Sequence, residues 1–156
     1  MNKRELLAQI VARLQSELEL LTTAALATHA EATDEENKAE DKYDTRGLEA
    51  SYLAHGQSKA AEETAQALAQ FQALVPRDFA AHEPIGLGAL VTLDTHARYF
   101  VGPRAGGTEI DFNGETVLVI TPQSPLGRQL LGRRPGDSVP LDLGGKRSTV
   151  RITAVS

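Results

Sequence analysis

The chain has 156 residues, of which 41% are hydrophobic, so it can form one medium domain or two small ones. It contains no Cys and no Trp, which excludes a disulfide scaffold and a thiolate zinc site, and its four Phe and three Tyr are too few for platforms that stack nucleotide bases. Residues 1–84 hold fifteen acids and eight bases, whereas residues 85–156 hold six acids and eight bases, so free DNA is a poor partner for the acidic first half.

Apolar residues recur at helical spacing in two stretches of nearly equal length, 7–32 and 50–74. Steps of three and four residues are typical of a coiled-coil seam, and no Pro or Gly interrupts residues 2–46. The first seam is Leu7, Val11, Leu14, Leu18, Leu21 and Ala25, continued by Thr28 and Ala32. The second seam is Ala50, Leu53, Gln57, Ala60, Thr64, Ala67, Phe71 and Leu74. Equal arms with a short connection predict an antiparallel hairpin of helices, each roughly 40 Å long.

The connection between the two arms is an acidic tip, residues 33–49, with seven acids and three bases. Two helix starts are plausible within it. Thr33 and Glu36 have the spacing of a capping box, and Asp44 or Thr45 is the alternative N-cap. A structureless loop of this length would be unusual, so we expect helix to extend through part of the tip.

The second half of the chain predicts a small antiparallel β domain. Residues 76–84 form a linker with one candidate anchor, Phe79, so the expected domains are a coiled coil at 1–75 and a β domain at 85–156. Asn113-Gly114 is the signal of a type I′ hairpin turn between two apolar runs. The predicted strands are Leu87–Leu93, Arg98–Gly102, Thr108–Phe112, Thr116–Ile120, Ser138–Leu143 and Ser148–Val155. The predicted fold class is therefore α+β.

A short helix interrupts the strands. Ser124 is a good N-cap, Pro125 suits the first helical position, and Gly132 suits the position after the helix. Three arginines, Arg128, Arg133 and Arg134, cluster around this helix. They are either solvated turn residues or part of a partner-docking surface, and the charge pattern leaves both interpretations open.

The sequence offers little for catalysis by the chain itself. Its four His residues lack metal-ligand spacing, and no nucleophile or phosphate-binding motif is present. The acidic tip is more informative about function. Its seven carboxylates in seventeen residues repel one another, and a simple turn would need fewer. Carboxylates bind Mg²⁺ together with water and phosphates, so such a tip could complete a metal site inside another macromolecule.

The residues from Ser124 to Gly132, followed by Gly136-Asp137-Ser138-Val139, are similar to the block S-P-x-[AG]-[KR]-x-L-[IL]-[GK]…G-D-x-V. That block belongs to the bacterial Gre transcript-cleavage factors, which the chain resembles over essentially its whole length. The resemblance implies an N-terminal coiled coil with an acidic tip and an FKBP-like C-terminal domain. It also implies docking at the secondary channel of RNA polymerase, where Ser124 and Pro125 match the docking loop and Gln123 replaces the usual Asp or Asn. We expect Arg128, Arg133 and Arg134 to contribute to docking.

In that family the tip carboxylates help to hold a second Mg²⁺ of the polymerase and so stimulate cleavage of backtracked RNA. The family tip pattern, Gly-Asp-x-x-Glu-Asn-x-x-Tyr, can be aligned with this chain in two ways, neither of which reproduces both acids at the family spacing. Glu36-Asn37 fits the Glu-Asn pair, with Asp34 or Thr33 in place of the Asp. Anchoring on Tyr52 instead places Leu48-Glu49 there, with Thr45 or Asp44 at the Asp. Asp41 and Asp44, three residues apart, are a third possible pair of acids. The candidate acids near Mg²⁺ are Asp34, Glu35, Glu36, Glu40, Asp41 and Asp44.

Three functions are compatible with these features. The first is a secondary-channel factor that stimulates cleavage of backtracked RNA. The second is a channel-binding regulator that does not cleave and competes with Gre factors. The third is a coiled-coil interaction module unrelated to transcription.

The first function implies a particular set of partners. RNA polymerase is the direct partner, and the RNA 3′ end and DNA are contacted only within the elongation complex. We expect a cytoplasmic monomer with no membrane contact, because the N-terminus resembles neither a signal peptide nor a membrane span. We expect no enzymatic activity and no cofactor of its own, only the Mg²⁺ of the polymerase.

Overall fold

The computed structural model describes residues 2–33, 46–143 and 145–156, and within them the predicted α+β fold class is confirmed. The helices are α1 Lys3–Thr33, α2 Arg46–Ala73 and α3 Pro125–Leu130. The strands are β1 Leu90–Leu93, β2 Arg98–Val101, β3 Glu109–Phe112, β4 Glu115–Ile120, β5 Ser138–Leu143 and β6 Lys146–Val155. The chain divides into two compact units, one of residues 11–69 and the other of residues 1–10 with 70–156.

The helical unit, residues 11–69, buries the predicted seam. On α1, Leu14 and Ala25 are buried and the seam positions between them are partly buried, whereas Leu20 and Leu26, off the seam, are 73% and 65% exposed. On α2, Ala67 is buried and the seam positions from residue 57 to residue 64 are partly buried. The heptad prediction is therefore confirmed where the side chains are described. Helix α2 begins at Arg46, so the last residues of the acidic tip are helical as expected.

A polar group of the seam, the Oε1 atom of Gln57, is buried and accepts no hydrogen bond from the residues that the structure describes. A buried acceptor without a donor retains the desolvation cost of leaving water and gains nothing in return. The position is therefore a weak point of an otherwise apolar seam.

Replacing Gln57 by leucine is expected to raise the free energy of unfolding by about 1 kcal/mol, because the unsatisfied amide oxygen is removed and apolar contact is added. Chemical denaturation of the full chain measures the change. The matched control is Gln66→Leu, at an exposed position of the same helix, for which we expect little change. A loss of stability in Gln57→Leu would show that its amide is satisfied in solution.

The six strands form one sheet in the order β3-β4-β2-β1-β6-β5. Each predicted strand is present to within three residues at each end. The sheet is mixed and not wholly antiparallel, because β2 pairs with β4 in parallel. The connection of residues 102–108 carries the chain past one strand position to β3 at the edge, and the β3–β4 hairpin then returns β4 beside β2. Turn signals in the sequence predict hairpins between consecutive strands. They do not show that a connection skips a strand position, as the one between β2 and β3 does.

The turns follow the predicted chemistry. Asn113 and Gly114 both have positive φ, 54° and 80°, as a type I′ turn requires, and they join β3 to β4. The long connection from β4 to the far edge strand β5 contains α3. This connection runs from β4, near one edge of the sheet, to β5 at the opposite edge. Because both strands are paired in the sheet, α3 and its flanking residues are held at both ends.

The core of the sheet unit includes parts of both long helices. Leu6 and Ile10 of α1 and Phe71 of α2 are buried there. The rings of Phe71 and Phe100 lie 6.4 Å apart between centroids. A Cβ atom at Gly102 would lie 2.6 Å from the Phe71 ring, so this glycine makes room for the aromatic side chain.

The linker after α2 is fixed at Phe79, which is only 8% exposed, so the predicted anchor is confirmed. The Arg77 guanidinium lies 3.8 Å from the centroid of its ring and the Lys3 ammonium 4.8 Å from it. Lys3 also donates a hydrogen bond of 2.5 Å to the carbonyl of Arg77, and burial lowers the pKa of its amine. Arg77 forms a 2.6 Å ion pair with Glu83. The linker is therefore joined to the first turn of α1 by one charged side chain.

Replacing Glu83 by glutamine is expected to reduce the decrease in the free energy of unfolding that occurs when the pH is lowered. The backbone N–H of Ala80 and then the Arg77 guanidinium hold the pKa of Glu83 below its ordinary value. A carboxylate of this kind stabilises the fold fully above its unfolded pKa of about 4.3, and the contribution is lost as the pH falls through the lower folded pKa. The difference between the unfolding free energies at about pH 6 and about pH 3 should therefore be smaller in the variant than in the wild type. Equal losses in both proteins would contradict this role.

In the part of the chain that the structure describes, no helix is long and apolar enough to cross a membrane.

Candidate functional site

The site is built around the start of α3. Ser124 has extended backbone angles, φ −65° and ψ 154°, and its hydroxyl accepts a 3.0 Å hydrogen bond from the N–H of Gly127. The same hydroxyl donates a 2.8 Å hydrogen bond to the carbonyl of Thr121. Pro125 occupies the first turn, where no intrahelical donor is needed. The predicted cap is confirmed. The Ser124 hydroxyl caps α3 and also stabilises the loop that precedes it.

Gly127 is the tightest point of the site. It is buried, and a Cβ atom on it would lie 1.8 Å from the carbonyl oxygen of Thr121. No side chain fits at that distance, so the closeness of α3 to the end of β4 depends on the absence of a side chain here. The motif position that allows Gly or Ala in sequence therefore requires Gly in this fold.

The residues after α3 are held by backbone hydrogen bonds. Gly132 has a φ of 78° and donates to the carbonyl of Ile85, while the N–H of Ile85 donates to the carbonyl of Arg133. This exchange, at 2.9 and 2.8 Å, fixes the position of Arg133. Further along, the Asp137 carboxylate accepts a 2.8 Å hydrogen bond from the N–H of Arg134. The two arginines therefore lie on an ordered turn.

The structure places the six predicted docking residues, Gln123, Ser124, Pro125, Arg128, Arg133 and Arg134, within one segment of twelve residues. We name residues 123–134 the α3 segment. Five of the six side chains are exposed, and Ser124 is partly buried because its hydroxyl serves the loop. The structure thus brings exposed arginine side chains and a proline together on a rigid backbone, while docking itself stays a prediction.

The sequence does not reveal the concave surface beside α3. Leu126 and Gln129 line a groove opposite residues 140–142 and Arg147 of the β5–β6 hairpin. Gln123 and Arg104 line a second, open and polar depression. These residues come from separate parts of the chain, so no local motif could have identified them.

The predicted tip acids, Asp34, Glu35, Glu36, Glu40, Asp41 and Asp44, lie outside the described residues. Among the residues that are described, no group of three or more His, Asp or Glu side chains could hold a metal ion. A metal site supplied by the acidic tip therefore stays a prediction from the sequence.

Residues 84–156 match the family model of the transcription elongation factor GreA/GreB C-terminal domain. The C-terminal domain, residues 84–156, is thus a Gre-type domain. The match includes the whole α3 segment, so the geometry above belongs to a Gre C-terminal domain. No curated protein matches the chain significantly.

Solved structures of Gre homologues align along nearly the whole chain. GreA factor homolog 1 of Thermus thermophilus is 22% identical, covering 97% of this chain and 93% of its own, with a TM-score of 0.39. A structure of the transcription factor Gfh1 is 26% identical, with coverages of 97% and 91% and a TM-score of 0.41. Gfh1 of Thermus aquaticus is 25% identical, with coverages of 97% and 92% and a TM-score of 0.36.

Proposed function

We propose that this protein binds RNA polymerase at its secondary channel and brings the acidic tip to the active centre, where it stimulates cleavage of backtracked RNA. The observation that carries the proposal is the family match over residues 84–156, which contains the ordered α3 segment with its exposed arginines. The protein is not itself an enzyme in this proposal, because the polymerase hydrolyses the RNA.

The α3 segment supports a docking role through its rigidity and its charge. Its backbone is fixed by the Ser124 cap, the Gly127 contact and the exchange with Ile85. A rigid surface loses little conformational entropy on binding. Three exposed arginines, Arg128, Arg133 and Arg134, can form charge-assisted hydrogen bonds to acidic groups of the polymerase.

The helical hairpin supports delivery of the acidic tip over a distance. Helix α1 has 31 residues and α2 has 28, which correspond to about 45 and 40 Å. Within this proposal Asp34, Glu36, Asp41 and Asp44 lie near the Mg²⁺ of the polymerase. These carboxylates would help to hold a second Mg²⁺, which would supply an activated water for hydrolysis of the phosphodiester.

The spacing of the tip acids favours a second candidate function. Neither the alignment on Glu36-Asn37 nor the one on Tyr52 reproduces both family acids at their spacing, which favours a channel-binding regulator that competes with cleaving Gre factors. Both functions require the same docking. They differ only in what happens to the RNA.

Stalled elongation complexes with labelled RNA distinguish the candidates. Adding the protein to backtracked complexes is expected to shorten the RNA from its 3′ end faster than polymerase alone. Binding without shortening, together with inhibited synthesis, would replace this proposal by the regulator. Failure to recover polymerase subunits with the tagged protein would favour an interaction module unrelated to transcription.

A further inference from the structure

A band of uncharged side chains runs along the face of α1 that lies opposite the seam. Leu20 and Leu26 on this face are 73% and 65% exposed. From residue 20 to residue 30 the helix has no Asp, Glu, Lys or Arg, although 24% of the chain is charged. An open depression on the same face is lined by Ser16, Glu19, Leu20, Thr23, Ala24 and Ala27. We name the exposed side of residues 16–30 the outer band.

The chemistry of the outer band excludes two kinds of partner. Helix α1 has no Lys or Arg between residues 14 and 33, so an anionic lipid surface finds no cation there. The exposed acids Glu17 and Glu19 repel the phosphates of a nucleic acid. Two exposed leucines on one uncharged face are suited to burial against another apolar protein surface.

The outer band is complementary to itself when two copies run antiparallel. Leu20 lies three residues before Thr23, and Leu26 lies three residues after it. A two-fold axis beside Thr23 therefore brings Leu20 of each copy to the level of Leu26 in the other. At that level the depression beside the small side chains of Ala24 and Ala27 leaves space for the leucine.

The charges beyond the two ends of the band favour the antiparallel direction. Arg13 and Glu31 are both exposed and lie 18 residues apart, about five helical turns, so they share one side of α1. In the antiparallel pair, Arg13 of each copy comes within one turn of Glu31 of the other, whereas a parallel pair would place like charges together. A carboxylate accepts several hydrogen bonds, so Glu31 can add this contact to those within its own chain.

We propose that the outer band binds a second copy of this chain, as an antiparallel pair of α1 helices with its two-fold axis beside Thr23. The band is about 22 Å long, which is short for a stable interface, so the expected Kd is about 10 to 100 µM. The chain is then a monomer at low concentration and a dimer at high concentration. The inference goes beyond the proposed function and does not depend on it.

Sedimentation equilibrium of the full chain at about 5 to 500 µM tests the inference. The double variant Leu20→Gln/Leu26→Gln should weaken association at least about tenfold, because it removes the apolar contacts at the centre of the pair. Both positions are exposed, so the fold should be retained, and circular dichroism checks this. The matched control is Leu87→Gln, which removes an exposed leucine outside the band and should associate as the wild type does.

Exchange of the end charges tests the direction of the pair. Arg13→Glu and Glu31→Arg should each weaken association about fivefold, because each substitution places like charges near one another. The combined variant restores opposite charges and should associate nearly as the wild type does. A combined variant weaker than either single one would overturn the antiparallel arrangement.

The remaining outcomes are also decisive. A wild-type chain that stays monomeric at about 500 µM would overturn the inference, as would undiminished association of Leu20→Gln/Leu26→Gln. If the chain alone is monomeric and the same variant loses affinity for polymerase, the outer band contacts polymerase and not a second copy. If the wild type forms dimers but does not bind polymerase, the proposed function fails and this inference stands.

Discussion

Replacing Gly127 by alanine is expected to lower the free energy of unfolding by about 3 kcal/mol, near the upper end of overpacking effects. The added methyl group would lie 1.8 Å from the Thr121 carbonyl oxygen, which is backbone and cannot rotate away. Relief requires α3 to move from the end of β4, and this breaks the hydrogen bonds that Ser124 makes to both sides. Chemical denaturation of the full chain measures the loss.

The matched control for Gly127 is Gly86→Ala in the same unit. A Cβ atom at Gly86 meets nothing within 4 Å, so little change is expected there. The Gly127 variant should also lose affinity for polymerase, because the α3 segment loses its fixed position. Wild-type stability in Gly127→Ala would show that α3 can move away from Thr121 at no cost and that the α3 segment is not rigid.

Replacing four tip acids by their amides is expected to reduce stimulated RNA cleavage by about 10- to 100-fold, the usual range for loss of groups that hold or orient a catalytic metal. The variant combines Asp34→Asn, Glu36→Gln, Asp41→Asn and Asp44→Asn. Affinity for polymerase should change little, because in the proposed function docking belongs to the C-terminal domain. The rate of RNA shortening in backtracked complexes is the measurement.

A second fourfold variant controls for net charge in the tip experiment. It neutralises exposed acids of the two arms and leaves the tip intact, with Glu17→Gln, Glu19→Gln, Glu62→Gln and Glu63→Gln. This variant should cleave as the wild type does. If both variants lose activity equally, overall charge and not the position of the tip acids governs cleavage, and the proposed role of the tip is wrong.

Local signals predict much of this fold because they report local physics. The seam from Leu7 to Ala25, the Asn113-Gly114 turn and the Ser124-Pro125 cap each depend on residues within a few positions of one another. All three are confirmed. The family block was recognisable for the same reason, since its residues form one short helix and the turn after it.

What the sequence could not show depends on residues that are distant along the chain. The parallel pairing of β2 with β4 follows from where β3 lies in the sheet, and no turn signal encodes that. The groove is lined by Leu126 and Arg147, which lie 21 positions apart in the sequence. The need for Gly127 becomes visible only when the Thr121 carbonyl is placed beside it. Each is a tertiary contact without a local pattern.

Equilibrium binding of the full chain to core RNA polymerase tests the central claim most directly. The chain has no cysteine, so Ser58→Cys, at an exposed position of α2, provides a single site for a fluorescent label. Saturable binding with a Kd of about 1 µM or lower is the predicted result, and Gly127→Ala should weaken it. No saturable binding at concentrations up to about 100 µM would contradict the account, because docking at the secondary channel requires direct contact with polymerase.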